Sequence, residues 1–312
     1  MLARSMIAII TSAAGLASAS FAASSTCPSS FNPTDPASSG FDVVFEDTFQ
    51  GTSLNPSNWC ANYPSAPSCT VVGATTNQNQ ISSCDPANIT VSNGAAHLLL
   101  TNTPSTDWAG DHYPTTGACM STDGPQSVPG QPLHAFQPPN TPTGAIWVES
   151  KITLPDAGNG VAANVANEPS AWMNGVTPGY RICIPGWPNC GEIDYAEFYT
   201  GPFGPGLNGG DCTSYHHDPN DYQLALSVVG QSQARTTCTG TGIKLSGTHY
   251  YGALWTNTEI SFYVDRQVVF TTTNMKPSSP MYLVFFNIAD RRTVNVFPST
   301  MDIHSVYVWS HD

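Results

Sequence analysis

Proline and glycine divide this chain into many short apolar segments, and that punctuation limits what it can fold into. The 312 residues include 26 prolines and 26 glycines, spread over the whole length. No window shows a sustained 3.6-residue apolar period, whereas short apolar runs between turn residues are typical of strands. The sequence therefore predicts an all-β fold, a sandwich or a barrel, of a size that can form one domain.

One hairpin can be placed from local signals alone. Asn93-Gly94 separates the apolar segments 89–91 and 97–100, and Asn and Gly tolerate the positive φ angles of a two-residue hairpin turn. The other predicted strands cover residues 41–47, 146–154, 223–229, 250–255, 260–264, 267–271, 281–288 and 303–309. The Gly/Pro-rich connections 101–142 and 200–222 are long for a compact domain, which predicts that they wall a cleft.

The chain is poor in charge, and the charge that it carries is acidic. Asp, Glu, Lys and Arg make up only 10% of the residues, with 22 acids against 9 bases and a net charge of −13. Nucleic acids and anionic membranes bind basic surfaces, so the composition excludes both as partners. Because 40% of the residues are apolar, the chain can bury a core and does not belong to the disordered class.

The N-terminus predicts export. Arg4 precedes an apolar run from Met6 to Ala17, and small residues then allow cleavage after Ala19 or Ala22, as in a secretory signal. The run is shorter than the roughly 20 apolar residues that a membrane anchor needs. We therefore expect a signal peptide at 1–23, a Ser/Pro-rich arm or linker at 24–40, and a single domain at 41–312 of a secreted, extracellular or periplasmic protein.

Nine cysteines agree with an oxidising compartment, where disulfides are the usual state. The rival interpretation is a metal site, but no C-x-x-C pair is present. Cys183 and Cys190 close a short loop and are predicted to pair, and Cys212 with Cys238 is a second candidate pair. Because nine is odd, at least one thiol is free or pairs between chains; the remaining cysteines are 27, 60, 69, 84 and 119.

Three carboxylates fall within six residues of a run that is otherwise apolar or aromatic, Glu192 to Glu197. Side chains alternate between the faces of a strand, so Glu192 and Asp194 share one face. A β-bulge after Asp194 would return Glu197 to that face, because it inserts one extra residue. Three acids on one face repel each other, which destabilises the fold. In a chain with so few charged residues, this electrostatic cost predicts that the three acids have a function.

Paired carboxylates of this kind suit glycoside hydrolysis, in which one acts as nucleophile or base and the other protonates the leaving oxygen. A third acid between them can tune both by its charge and its hydrogen bonds. Two alternatives stay open from spacing alone. One is a solvated acidic face of an edge strand, and the other is a calcium site, since clustered carboxylates suit a hard cation.

The segment Gly191–Glu197, Gly-Glu-Ile-Asp-Tyr-Ala-Glu, resembles the E-x-D-x-x-E signature of glycoside hydrolase family 16. That family includes laminarinases, mixed-linkage β-glucanases, agarases, carrageenases and transglycosylases. Further segments extend the resemblance from about 41 to 312, and these are 45–49, 144–151, 171–173, 187–190, 249–255 and 297–301. The resemblance implies a β-jelly-roll sandwich of two curved antiparallel sheets with a concave substrate cleft.

The resemblance also assigns roles. It implies that Glu192 is the nucleophile, Glu197 the acid/base and Asp194 an assisting carboxylate. Trp172 and Trp187 would be platforms for sugar rings. His216, with its neighbour His217 as a rival, matches a histidine of family laminarinases, and Asn287 is a further substrate-binding candidate. By alternation Tyr195 faces away from Asp194 into the core, where Trp255 is also expected.

Two departures from the family pattern bear on substrate and metal. After Asn287-Ile288-Ala289 the chain lacks the Gly-Gly-x-Trp of many laminarinases. At the terminal-strand aspartate that often ligates a structural calcium in the family, this chain has His304, with Asp302 offset by two. We therefore expect no cofactor and assign no metal ligands, with a structural calcium as the open alternative.

Together these features predict a secreted, monomeric, retaining endo-glycosidase for a neutral β-glucan with β-1,3 or β-1,3-1,4 linkages. Sulfated galactans are disfavoured because they need basic residues. One alternative is a transglycosylase on β-glycans, which shares the chemistry and passes the glycosyl group to a sugar. Another is a non-catalytic jelly roll that only binds glycan.

Overall fold

The fold is known from a computed structural model of the chain. It describes residues 31–63, 66–75, 80–124, 134–155, 167–178, 180, 183–184, 189–199, 223–229, 235–238, 247–273, 277–291 and 295–312. The predicted signal peptide lies outside these residues. None of the helices in the described ranges has the length and apolar character needed to span a bilayer.

The described residues form strands joined by turns, with two 3-10 helices at Pro36–Ser39 and Pro86–Asn88. The strands are β1 (Asp42–Asp47), β2 (Ser82–Cys84), β3 (Ile89–Ser92), β4 (Ala95–Leu100), β5 (Ser105–Thr106), β6 (His112–Tyr113), β7 (Thr115–Ser121), β8 (Ala145–Thr153), β9 (Asn167–Gly175), β10 (Glu192–Tyr199), β11 (Gln223–Val229), β12 (Arg235–Cys238), β13 (Thr248–Thr256), β14 (Ile260–Val264), β15 (Gln267–Thr272), β16 (Met281–Ala289) and β17 (Ser299–His311).

The strands build two large sheets. Sheet A has the order β15-β14-β13-β8-β17-β4-β3, with β1 also paired to β17, and sheet B has the order β12-β11-β10-β9-β16-β7-β2. All pairs within them are antiparallel except β2 with β7. Strands β5 and β6 form a separate ribbon. Sequence neighbours such as β9 and β10 pair, but β16 inserts next to β9 from more than a hundred residues further along the chain.

The main core lies between the two sheets. Sheet A contributes side chains such as Trp255 and Phe262, and sheet B contributes side chains such as Tyr195 and Phe285, all within one cluster of buried residues. Strand alternation explains the arrangement, because every second side chain of each sheet points to the other sheet. The expected all-β jelly-roll sandwich is confirmed, and so is the core position of Tyr195 and Trp255.

Local turn chemistry agrees with the sequence at the predicted hairpin. Asn93 and Gly94 have φ angles of 52° and 73° and join β3 to β4. A positive φ costs glycine nothing and asparagine little, so this dipeptide fixes a two-residue turn.

Three disulfides join described cysteines. The predicted pair Cys183–Cys190 is present, and two further pairs, Cys60–Cys69 and Cys84–Cys119, were not assigned from the sequence. The candidate pair of Cys212 and Cys238 cannot be compared, because Cys212 and the side chain of Cys238 lie outside the description.

The part of the N-terminal arm that the structure describes packs on sheet A. The ring of Phe31 lies 5.1 Å from that of Phe41 and 5.2 Å from that of Trp147. Asp35 caps the first 3-10 helix by accepting from the backbone N–H of Ser38. This segment therefore covers apolar side chains on the face of sheet A that points away from sheet B.

Candidate active site

Strand β10 contains the bulge that we predicted. Its register shifts between Asp194 and Glu197 against β11, and between Asp194 and Ala196 against β9. On β9 the partners of Glu192, Asp194 and Glu197 are Asn174, Trp172 and Ser170, three alternate residues of a continuous strand. Alternate residues share a face, so the bulge brings all three carboxylates to one face of sheet B, which we call the acid face.

The opposite side of β10 anchors the strand. Tyr195 is fully buried, and its hydroxyl lies 2.9 Å from that of Ser150 on β8 of sheet A. Burial raises the pKa of the Tyr195 phenol well above its usual range, and the hydrogen bond with Ser150 acts in the other direction. The phenol therefore stays protonated and links the strand that carries the acids to the facing sheet.

The three carboxylates differ in their access to solvent. Glu192 and Glu197 are partly exposed, whereas Asp194 between them is only 4% exposed. Two accessible glutamates can touch a substrate, and the buried aspartate is placed to act on them through charge and hydrogen bonds. This division fits two reacting groups and one assisting group.

Trp172 stands beside Asp194 on the acid face. Its ring lies edge-on to Phe286 at a centroid distance of 4.6 Å, and Tyr63 is 6.1 Å away. These rings belong to a second apolar cluster that fills part of the acid face. The indole is only 7% exposed, so it forms part of the floor next to Asp194; its role as a sugar platform stays a prediction.

Asn174 and Tyr282 belong to the site, although nothing in the sequence singled them out. Asn174 opposes Glu192 on one side and Tyr282 of β16 on the other. Burial raises the pKa of Tyr282, the charges of Asp123 and Glu192 raise it further, and a hydrogen bond with the Asn174 side chain opposes these effects. The only signal that could have found them is the strand register, which a single sequence does not contain.

The structure does not bring Asn287 to the acid face. Its side chain is fully buried, and its amide donates to the carbonyl oxygens of Leu98 at 2.9 Å and Ser299 at 3.1 Å, both in sheet A. It therefore points into the space between the sheets. The prediction that Asn287 contacts substrate is wrong, because Asn287 is one of the alternate residues of β16 whose side chains point into the core.

Three other candidates cannot be placed. Trp187, His216 and His217 all lie outside the described residues, so their assignment to substrate binding stays a prediction.

The two residues considered for calcium lie on sheet A and have protein partners. Asp302 accepts a hydrogen bond at 2.7 Å from Nδ1 of His97, and Nε2 of His304 lies 2.8 Å from the hydroxyl oxygen of Thr153. Burial lowers the pKa of His304, which favours its neutral form. Across the described ranges, no group of three or more His, Cys, Asp or Glu side chains could hold a metal ion. These residues therefore do not fit a calcium site.

Comparisons with solved structures agree with the fold described above. Among solved structures, an endo-β-1,3-glucanase from Pyrococcus furiosus superposes with a TM-score of 0.62 at 20% identity, covering 86% of this chain and 94% of that one. The laminarinase catalytic domain of Thermotoga maritima gives 0.60 at 18% identity, over 88% and 99%. LamA of Z. galactanivorans, solved with laminaritriose and laminaritetraose, gives 0.58 at 17% identity, over 86% and 98%. At such identities the likeness establishes the fold alone.

The sequence comparisons match a shorter part of the chain than the structural comparisons do. None of the curated proteins matches the chain. The model of the glycosyl hydrolases family 16 matches residues 170–302, a stretch that contains most of β9, the bulged strand β10 and all of β16. The resemblance seen at 191–197 is thereby confirmed, because this segment lies within the residues that match the family model.

Proposed function

We propose that this protein is a secreted, monomeric, retaining endo-glycosidase that hydrolyses β-1,3 or β-1,3-1,4 linkages of a neutral glucan. The family match and the glucanase neighbours support a glycoside hydrolase that acts on β-glucan. The observation that carries the proposal is the bulge, since it places Glu192, Asp194 and Glu197 on one face. A bulge that gathers like charges has no stabilising value of its own.

The first half of the proposed reaction forms a covalent intermediate. A carboxylate oxygen of Glu192 attacks the anomeric carbon of the sugar while Glu197 transfers its proton to the glycosidic oxygen. The bond between that carbon and oxygen breaks, and the released chain departs with a new hydroxyl. Asp194, buried between the two glutamates, is the proposed assisting carboxylate, which acts on both through its charge and its hydrogen bonds.

The second half returns the enzyme to its starting state. Glu197, now ionised, removes a proton from water, and the water oxygen attacks the anomeric carbon from the side that the first product left. Glu192 departs as a carboxylate. Two inversions at the same carbon leave the β configuration unchanged.

The proposed substrate follows from charge and from the neighbours. An uncharged polymer suits a chain with a net charge of −13 and few bases. One structural neighbour is described as bound to laminaritriose and laminaritetraose, and another as a non-specific endo-β-1,3(4)-glucanase. Trp172 and Trp187 are the proposed platforms for sugar rings, with His216 or His217 as a polar contact, and no cofactor is part of the proposal.

Secretion is proposed on two grounds. The first 23 residues have the pattern of a signal peptide. The three disulfides are also compatible with an oxidising compartment.

The test is a product analysis on laminarin, lichenan, agarose and xyloglucan. We expect new reducing ends from laminarin or lichenan, with β configuration in the first product by NMR. Glu192→Gln and Glu197→Gln should each lower kcat by at least about a hundredfold. Glu46→Gln, which removes an exposed acid of β1 on sheet A, is the matched control and should change little.

Other outcomes would favour the alternatives. Products longer than the starting oligosaccharide would indicate a transglycosylase. Binding to glucan without any new reducing end would indicate a glycan-binding jelly roll. Full activity in either glutamine variant of the acid face would overturn the assignment of the catalytic pair.

A further inference from the structure

A row of polar side chains crosses sheet B at the level of Glu192. Glu192 on β10 opposes Asn174 on β9, and Asn174 opposes Tyr282 on β16. Asn174 lies two positions from Trp172 on β9, and Tyr282 lies two positions from Val284 on β16. Trp172 and Val284 belong to the cluster on the acid face, and residues two positions apart in a strand share a face. The row therefore lies on the same face as the three carboxylates.

The row becomes more buried with distance from Glu192. Glu192 and Asn174 are partly exposed, Tyr282 is 8% exposed, and the nearby Asp123 is completely buried. In a chain with so few charges, a buried carboxylate at the end of such a row carries a desolvation cost. The reaction steps given above use neither Asp123, Tyr282 nor Asn174.

A hydrogen bond joins two members of the row. The Asn174 side chain bonds the Tyr282 hydroxyl, and the two residues oppose each other directly on β9 and β16. An amide side chain can donate through its N–H groups and accept through its oxygen, and a phenol hydroxyl can do both.

This bond fixes the amide of Asn174. Rotating the amide away would leave the buried Tyr282 hydroxyl without that partner, which costs free energy in a low-dielectric site. Opposed side chains on neighbouring antiparallel strands have Cβ atoms about 4.5–5.5 Å apart. Because Asn174 also opposes Glu192, the side chain that Tyr282 fixes is the direct neighbour of the Glu192 side chain across the strand pair.

We propose that Asn174 and Tyr282 are positioning residues for Glu192, with Tyr282 orienting the Asn174 amide and that amide holding the carboxylate in line for attack. The inference rests on the proposed function, because it assumes that Glu192 is the nucleophile. Alignment of a nucleophile is a large term in catalysis, and a displacement of about 1 Å can cost roughly a hundredfold in rate.

The experiment compares two variants, Tyr282→Phe and Asn174→Ala, on the natural glucan and on an aryl β-oligoglucoside whose leaving group departs without protonation. Each variant should lose roughly tenfold to a hundredfold in kcat, the range expected for one hydrogen bond to a charged group, while KM stays within about twofold. The loss should persist on the aryl substrate, because the attack itself is impaired. Glu197→Gln should recover the first step on that substrate, seen as a burst of released phenol, because that step no longer needs a proton donor, while hydrolysis of the intermediate should stay slow because the base is also missing.

Tyr113→Phe is the matched control for the loss of a hydroxyl. The Tyr113 hydroxyl donates to Asp107 at 3.3 Å on the β5–β6 ribbon, outside the acid face, and its removal should leave kcat unchanged. The double variant Tyr282→Phe/Asn174→Ala should lose no more than Asn174→Ala alone, because the two residues act as a unit.

Specific results would overturn the inference. Wild-type kcat in Tyr282→Phe or in Asn174→Ala would do so, as would recovery of either variant on the aryl substrate. Asn174 is partly exposed, so its variant gives an answer even if Tyr282→Phe fails to fold. If Glu192→Gln kept full activity, the proposed function would fail, whereas an inactive Glu192→Gln with a fully active Tyr282→Phe would refute this inference alone.

Discussion

At the scale of single residues, the site depends on side chains that never meet the substrate. Tyr195 sits between Asp194 and Glu197 in sequence and points the other way, where its hydroxyl contacts Ser150 of sheet A at 2.9 Å. A catalytic pair of carboxylates needs fixed geometry. Because side chains alternate between the faces of a strand, a residue between the acids can anchor β10 on its core face.

The contribution of this anchor can be measured. Tyr195→Phe removes the hydroxyl and leaves Ser150 without that contact, so it should lower the free energy of unfolding by about 1–2 kcal/mol. Urea denaturation provides the measurement. Ser150→Ala should cost a similar amount, and the double variant should cost less than the sum of the two, because each single variant strands the other hydroxyl.

The kinetic constants of Tyr195→Phe distinguish an anchoring role of Tyr195 from a direct role in catalysis. Tyr195 is fully buried on the core side, so Tyr195→Phe should keep KM and most of kcat at temperatures where it is folded. A hundredfold fall in kcat in the folded variant would contradict a purely anchoring role.

At the scale of elements, the bulge in β10 decides which way Glu197 points. In a regular strand, residues 192, 194 and 196 share a face, and Glu197 would turn to the core. The register shift after Asp194 reverses this, so the chain presents its third acid one residue later than regular alternation allows.

Changes in strand length test this directly. Deleting Ala196 removes the extra residue and moves the glutamate to the position that regular alternation assigns to the acid face. We expect this variant to fold and to keep measurable glucanase activity. Inserting one alanine after Ala196 should instead move the glutamate away from its partner Ser170, to the core face if the bulge stays or one residue pair further along the strand if the bulge is lost. Either outcome should abolish activity and destabilise the fold.

The two variants are each other's control, since both change the length of β10 by one residue. Thermal unfolding and reducing-end release give the comparison. Equal losses of activity and stability in the two would show that the position of the glutamate on the strand is not what matters.

How much of this could be predicted from the sequence depends on how far apart in the chain the contacts lie. The Asn93-Gly94 turn, the Cys183–Cys190 loop and the bulge of β10 involve residues within a few positions of each other, and local patterns predicted them. The wrong prediction for Asn287 has a different origin. Its face depends on the parity of β16 within sheet B, and that parity is set by pairing with distant strands.

The residues around Glu192 show the same limit. Asn174 and Tyr282 are more than a hundred positions apart, and only the order of strands in sheet B makes them neighbours. A local motif could give three carboxylates on one strand. It could not give the amide and the phenol that complete the row beside Glu192.

At the scale of the whole molecule, low charge and net acidity constrain how a polymer can be recognised. With 22 acids against 9 bases, the field around the protein repels anions at long range. The proposed substrate, a neutral glucan, is not repelled by this field, and hydroxyl contacts and aromatic faces are its proposed contacts at short range.

Salt therefore distinguishes a neutral substrate from a charged one. Raising the ionic strength from about 0.05 M to 0.5 M shortens the screening length to well under 10 Å, and KM for laminarin or lichenan should change by less than about twofold. A carboxymethylated form of the same glucan should show a higher KM at low salt that falls as salt is added, because screening weakens its repulsion by the acidic protein. An equal salt response for both polymers would show that the net charge does not select the substrate, and a strong salt dependence on the neutral glucan would point to an ionic contact in the cleft that the acid face does not supply.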